Sequence, residues 1–291
     1  QKIILDPKDL RQEEYFTLPS IAEECVDTLL GLYPKSYMSM FLEPAAGNGS
    51  FSNYLRTKGA VDEFDITKRI DTCVEQDFLT LEPSARYDAV ITNPPFGRAS
   101  NLAIKFFNHA TKFSDVIAFI VPSSWETRFF IHDKLDLNYH MVYSEELPKT
   151  SFVSPDGNVF DGGYLNCVFQ IWERRENKRE KMLNYRSDSF EFIRPTNVSE
   201  ILKENAYNRD IVPRFPVKPT VLIPIRTHGS KAGQILDHWW HNPRTTAWIL
   251  PKTFTVEEKL SQLDFSEYTT KCAYVPSISP AEIAWTYDVS H

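Results

Sequence analysis

Met40-Phe41-Leu42-Glu43-Pro44-Ala45-Ala46-Gly47-Asn48-Gly49 runs from three apolar residues into a turn of small residues, and apolar positions resume at Phe51 and Leu55. Three apolar residues in a row suit a short buried strand, and the spacing after the turn suits a helix. The stretch therefore reads as a strand–turn–helix unit. Its small residues let the backbone come close to a ligand, and the helix start offers free N–H groups.

Outward from this unit the same alternation continues. Pro19, Ile21, Ala22, Cys25, Val26, Leu29 and Leu30 have helical spacing, with Thr17 and Pro19 near the start and Gly31 as the expected stop. Strands are expected at 61–64, 72–75, 89–92, 116–121 and 164–172, with a helix over 101–112. This βαβ order predicts an α/β fold, a Rossmann-like domain with a mixed, mostly parallel sheet, over residues 1–172.

Beyond Trp172 the pattern changes. Glu173-Arg174-Arg175-Glu176-Asn177-Lys178-Arg179-Glu180-Lys181 is dense in charge, and nine of the 19 prolines follow it. A boundary is expected here, with residues 173–291 forming a smaller substrate-recognition or accessory region of short strands and loops. The net charge of −7 divides unevenly, −9 over residues 1–172 and +2 over residues 173–291. That makes the C-terminal part the phosphate-facing half, with Arg209, Arg214, Lys218, Arg226, Lys231 and Arg244 as candidate contacts.

Composition narrows the classes. With 42% hydrophobic and 24% charged residues, the chain reads as an ordinary globular protein. Cys25, Cys73, Cys167 and Cys272 form no C-x-x-C pair, so no zinc site or disulfide framework is expected, and a cytoplasmic setting is. No apolar run approaches a membrane span. His238-Trp239-Trp240-His241 has no third metal ligand at a suitable spacing, and no bound metal is expected.

Acidic residues follow the strands. Asp65 ends the second strand, at the distance from the glycine turn where Rossmann-like domains place a carboxylate against ribose hydroxyls; Glu63 is the alternative if the register shifts by two. Asp77-Phe78 follows the third strand, where the carboxylate could accept an adenine amine and the ring could lie against its face.

The most specific stretch is Ala89-Val90-Ile91-Thr92-Asn93-Pro94-Pro95-Phe96-Gly97. It suits an exocyclic amine whose lone pair is delocalised into a ring. Acceptors on such an amine oppose the delocalisation and align the nitrogen for attack. Asn93 offers a side-chain oxygen, the Asn93-Pro94 segment a backbone carbonyl, the prolines stiffness and Phe96 a flat surface for the base. Cytosine-C5 chemistry is disfavoured, because no cysteine follows a proline.

At these residues the chain resembles the gamma-class N6-adenine DNA methyltransferases of the N-P-P-F type and the methylation subunits of type I restriction-modification systems. The resemblance covers residues 12–173, with the motifs in the same order. It implies the class I methyltransferase fold and S-adenosyl-L-methionine as cofactor. Tyr15 and Thr17, within Tyr15-Phe16-Thr17-Leu18-Pro19, would contact its methionine part. Glu43, Pro44, Ala45, Gly47 and Gly49 would form its turn, Asp65 would take the ribose, Asp77 and Phe78 the adenine, and Asn93 would border it. Asn93, Pro94, Pro95 and Phe96 would be catalytic, with Phe96 and Phe160 sandwiching the flipped adenine; Tyr164 competes for the place of Phe160. The chain departs from the family in lacking the usual glycine of the ribose region, and its C-terminal part matches no target-recognition domain. The substrate implied is DNA, with a possible partner subunit for target recognition. RNA adenine, a protein glutamine amide and a non-catalytic nucleic-acid-binding role are the alternatives.

Overall fold

Val116–Pro122 is buried at all seven positions and Ala89–Thr92 at all four, which only a strand covered on both faces requires. These strands lie at the centre of a parallel-rich sheet. The computed structural model describes residues 15–154, 157–159, 166–193, 222–236, 245–253, 255–271 and 276–290. The chain divides into two compact units: residues 1–126 with 131–180, and residues 127–130 with 181–291.

The described part of the first unit begins with β1 (Phe16–Thr17) and α1 (Pro19–Leu32), followed by β2 (Met40–Glu43), α2 (Ser50–Leu55), β3 (Ala60–Asp65) and β4 (Val74–Glu75). Then come β5 (Ala89–Thr92), α3 (Asn101–Ala110), β6 (Val116–Pro122), β7 (Tyr139–Glu146), β8 (Phe152–Val153) and β9 (Cys167–Arg174). Seven strands form one sheet in the order β4-β3-β2-β5-β6-β9-β7. β4, β3, β2, β5 and β6 run parallel, and β9 is antiparallel to both β6 and β7. This is the expected Rossmann-like α/β class.

From β2 the chain moves outward through β3 and β4, and then returns to place β5 and β6 on the other side. The order therefore reverses between β2 and β5. At such a switch point the crevice beyond the carboxyl ends of the strands is the ligand site. The Glu43 turn and Asn93 both leave the sheet there.

α1 buries Ile21, Ala22, Cys25, Val26 and Leu29 in one core with Phe41, Ile91, Ala118 and Ile120. It runs past Gly31, the expected stop. A Cβ at Gly31 would meet nothing within 4 Å, so no turn is imposed there. Pro34 ends the helix instead, by holding Tyr33 extended (φ −122°, ψ 142°). Beneath α3, Phe107 meets Phe119, Trp125, Tyr139 and Trp172 at centroid distances of 5.4–6.0 Å. β7 shows no regular alternation, because as an edge strand it is buried irregularly, and it ends in Glu145-Glu146.

The first unit continues to Glu180, past the boundary expected at Trp172. β9 extends to Arg174, and the charged stretch then bonds back: Arg175 N–H to the Asn138 carbonyl (2.7 Å) and Arg179 N–H to that of Leu137 (2.8 Å).

In the second unit, β10 (Phe190–Ile193), β11 (Ile223–Arg226) and β12 (Thr246–Pro251) form an antiparallel sheet in the order β10-β12-β11. Its described residues also hold helices that the proline count did not suggest: α4 (Thr255–Gln262), α5 (Ser266–Thr270) and α6 (Pro280–Val289). α6 starts on its proline, where no intrahelical N–H is needed, and Ser279 and Glu282 close a capping box around that start. Phe190, Ile225, Ile249, Val256, Leu260 and Ile283 share the unit's own core. Arg128 and Glu282 form a buried ion pair at 3.3 Å.

Candidate active site

The turn after β2 is built on left-handed glycines. Gly47 has φ +55° and Gly49 φ +82°. The Ala46 N–H donates to the Phe64 carbonyl (2.9 Å), the Gly49 N–H to that of Ala46 (2.8 Å), and α2 then starts at Ser50 with no side-chain cap. A Cβ on Gly47 would stand 2.9 Å from Cδ1 of Phe16, and one on Gly49 2.9 Å from Cδ1 of Ile70. Neither position has room for a side chain.

Of the three carboxylates on β3, Asp65 is the one that reaches this turn, while Asp62 accepts the Tyr87 hydroxyl. Its Oδ2 accepts the Gly47 N–H (2.8 Å), its Oδ1 accepts the Thr67 N–H (2.9 Å), and Arg69 pairs with it at 3.5 Å. Four lone-pair directions on a carboxylate leave it able to take further donors. Glu63 is committed elsewhere, ion-paired to Arg56 and directly opposite Glu43 in the β2–β3 register.

Glu43 is 1% exposed, and its Oε2 has no hydrogen-bond partner. Burial holds its carboxyl well above the usual range; the neighbouring Ser52 opposes that, while Glu63 and Asp65 add to it. The Thr17 hydroxyl is also buried without a partner. Unsatisfied buried polar groups are uncommon in folded proteins. Here four, on Thr17, Glu43, Ser52 and Glu63, belong to elements that meet the glycine turn.

Asn93 follows β5 directly. Its Nδ2 donates to the Tyr15 carbonyl at 3.3 Å, so the amide oxygen is the end turned away from Tyr15. The Thr92 hydroxyl donates to the Ala45 carbonyl (3.4 Å), tying the loop to the glycine turn. Pro44 and Pro94 are buried, while Pro95 and Phe96 are half-buried. The Phe96 carbonyl accepts the N–H groups of Leu102 (3.1 Å) and Ala103 (3.2 Å), which anchors the loop to the start of α3. Between these anchors Gly97, Ala99 and Ser100 all have positive φ (65°, 52° and 60°). Such values cost a non-glycine residue energy and cluster at ligand sites.

The Asp77 carboxylate caps the short helix after β4, accepting the Leu79 N–H at 2.9 Å, and is exposed. The Phe78 ring is 1% exposed and packs among Phe106 (5.3 Å), His109 (4.8 Å) and Phe113 (5.4 Å). It is a core residue, with no face open to solvent. Phe160 and Tyr164 lie outside the described residues, as do Arg209, Arg214, Lys218, Arg244 and the His238–His241 stretch.

Reading the sequence missed Phe16, Ser50, Ile70 and Arg69. Phe16 packs on Gly47, and Arg69 stacks over Phe16 at 5.3 Å. The Ser50 hydroxyl donates to the Thr17 carbonyl at 2.6 Å. Only Ser50 carried a signal, as a hydroxyl residue directly after Gly47-Asn48-Gly49. Among the described residues no cluster of His, Cys, Asp and Glu could hold a metal ion, and no helix is long and apolar enough to cross a membrane.

No family model matches the sequence, and no curated protein sequence does. Similar solved structures include a Pyrococcus horikoshii protein assigned provisionally as an RNA methyltransferase, with 19% identity over 58% of this chain and 91% of that one, at a TM-score of 0.44. A Listeria monocytogenes protein assigned provisionally as a class I S-adenosylmethionine-dependent methyltransferase has 17% identity over 62% of this chain and 65% of that one, at 0.44. The magnesium protoporphyrin IX methyltransferase of Synechocystis, with the cofactor bound, has 15% identity over 60% of this chain and 86% of that one, at 0.40. The fold class rests on the strand order and register, not on these partial likenesses.

Proposed function

We propose that the chain is an S-adenosylmethionine-dependent methyltransferase that acts on the N6 amine of adenine in DNA. One observation carries this reading. Asn93 leaves β5 at the switch point of the sheet, next to the glycine turn, with its amide nitrogen held by Tyr15 and its amide oxygen turned away from that contact.

The residues present fit the cofactor. The glycines give the turn a left-handed backbone without side chains, Asp65 can accept from ribose hydroxyls, and the unpartnered Glu43 and Thr17 oxygens can meet the methionine ammonium. When bound, the cofactor supplies an electrophilic methyl group.

The protein's part is to prepare the amine. An acceptor at Asn93 Oδ1, joined by the carbonyl of the Asn93-Pro94 segment, takes the two amine hydrogens and draws the lone pair out of ring conjugation. The same oxygens stabilise the positive charge that develops on nitrogen as the methyl carbon exchanges its sulfonium bond for the N–C bond, and one proton then leaves to solvent. Phe96 gives the base an apolar surface, with Phe160 proposed as its partner. In duplex DNA the adenine must first leave the stack, at a cost of a few kcal/mol. The second unit supplies substrate contacts in this reading, and a partner subunit could complete target recognition.

Methyl transfer from radiolabelled cofactor should be measured with DNA, RNA and protein offered in parallel, followed by digestion of the labelled polymer. The expected product is N6-methyladenine from DNA. Label in RNA would move the substrate while keeping the chemistry. Label in a glutamine amide, or none at all, would overturn the reading.

A further inference from the structure

The Asn93 amide is useful to an amine in only one of its two orientations. With Oδ1 toward the amine it accepts; turned over, its NH2 group would face another donor. Choosing between these states is the Tyr15 carbonyl, 3.3 Å from Nδ2. A backbone carbonyl accepts and never donates, so it holds the NH2 end. What holds Tyr15 therefore also sets the amide.

Tyr15 immediately precedes β1, and the described segment begins with it. β1 is only two residues long and pairs with Val153 and Phe152 of β8. Further hydrogen bonds hold the chain beyond that pairing, two of them at Leu18 and Thr17. The Leu18 N–H donates to the Ser151 carbonyl at 2.9 Å, and the Ser50 hydroxyl donates to the Thr17 carbonyl at 2.6 Å. Only the second ties the strand to the glycine turn through a side chain. Ser50 is 8% exposed, and its hydroxyl lies between two acceptors, the Thr17 carbonyl at 2.6 Å and Asn48 Oδ1 at 2.8 Å, of which the Thr17 carbonyl is the nearer. Phe16, between the two carbonyls, packs on Gly47.

We infer that Ser50 is a positioning residue that acts through Tyr15 to select the catalytic orientation of the Asn93 amide. Its hydroxyl holds the Thr17 carbonyl, the strand holds Tyr15, and Tyr15 holds the amide nitrogen. The consequence for turnover rests on the proposed methyl transfer. The consequence for the amide does not.

The test uses the full chain and has two independent readouts. In protein labelled with 15N-asparagine, the side-chain NH2 pair of Asn93, assigned by its loss in Asn93→Ala, should shift or broaden in Ser50→Ala and return in Ser50→Thr. An unchanged pair in a folded Ser50→Ala protein overturns the inference whatever the activity. The second readout is a double-mutant cycle on the single-turnover methyl-transfer rate. Ser50→Ala should slow transfer roughly tenfold in the wild-type background, a typical cost of mispositioning, and by much less in Asn93→Ala. An equal loss in both backgrounds would mean that Ser50 merely supports the fold, and the inference fails. If the wild-type chain transfers no methyl group but the Asn93 resonances respond as stated, the function proposed above falls and the orientation device stands.

Discussion

Asn93 is the residue at which the chemistry is most exposed to test. Replacing it with alanine removes an acceptor that acts on the amine, so turnover should fall by about 10²–10³-fold while cofactor affinity stays within a few-fold. Rate and calorimetric measurements on the same preparation check both halves; a variant as active as wild type would remove Asn93 from the mechanism. Glu43 makes a different prediction, because its carboxyl is held above the ordinary range by burial. A raised carboxyl contributes stability below the unfolded value, near about pH 4.3, and loses that contribution as pH rises through the folded value. At neutral pH Glu43→Gln should therefore melt at or above the wild-type temperature without cofactor, with the gain shrinking toward pH 4. It should also bind cofactor more weakly, since the oxygen now without a partner would be altered. A melting curve that falls in parallel with wild type across the pH range would show that Glu43 does not titrate as its burial requires.

Among the elements, the loop from Asn93 to Ser100 combines rigid anchors with backbone strain. Ala99 has φ 52° between two fixed ends, and glycine adopts that conformation freely. Ala99→Gly should raise folding stability by on the order of 1 kcal/mol in denaturant titration. Activity should fall if the strain helps to place Phe96. Legibility also differed by element. The strand–turn–helix at Met40–Leu55 and the Asn93 loop were readable because their signals are contiguous: apolar runs ending in glycine or proline. β7 was not, because an edge strand needs no regular alternation and its sequence has none. Gly31 looked like a helix stop only because the proline that sets the end lies three residues later. Phe78 was placed correctly in the chain, but the aromatic residues on and just after α3 that enclose it, Phe106 and Phe113, are too distant in sequence to be anticipated. The path from Ser50 to Asn93 was hidden for a stronger reason, since two of its links are backbone carbonyls and leave no mark on residue identity.

At the scale of the whole molecule, charge and connectivity set the expectations. The first 172 residues carry a net −9, so nucleic-acid affinity should fall with salt by a slope that reports contacts elsewhere. Lys231 is exposed, and Lys231→Gln in the full chain should flatten that slope by about 0.9 if it meets one phosphate of duplex DNA. An unaltered slope would exclude it. Within the second unit, removing one partner of the Arg128–Glu282 pair should cost about 3–5 kcal/mol, because the charge left behind is buried. Connectivity carries a consequence for descent and for engineering. Thr127–Phe130 belongs to the second unit although the chain on both sides of it belongs to the first. A single recombination breakpoint at residue 180 would therefore deliver the second unit without its own Arg128, stranding Glu282. Exchange of this unit between relatives must take two inserts at once, which makes the pair of units heritable as one block.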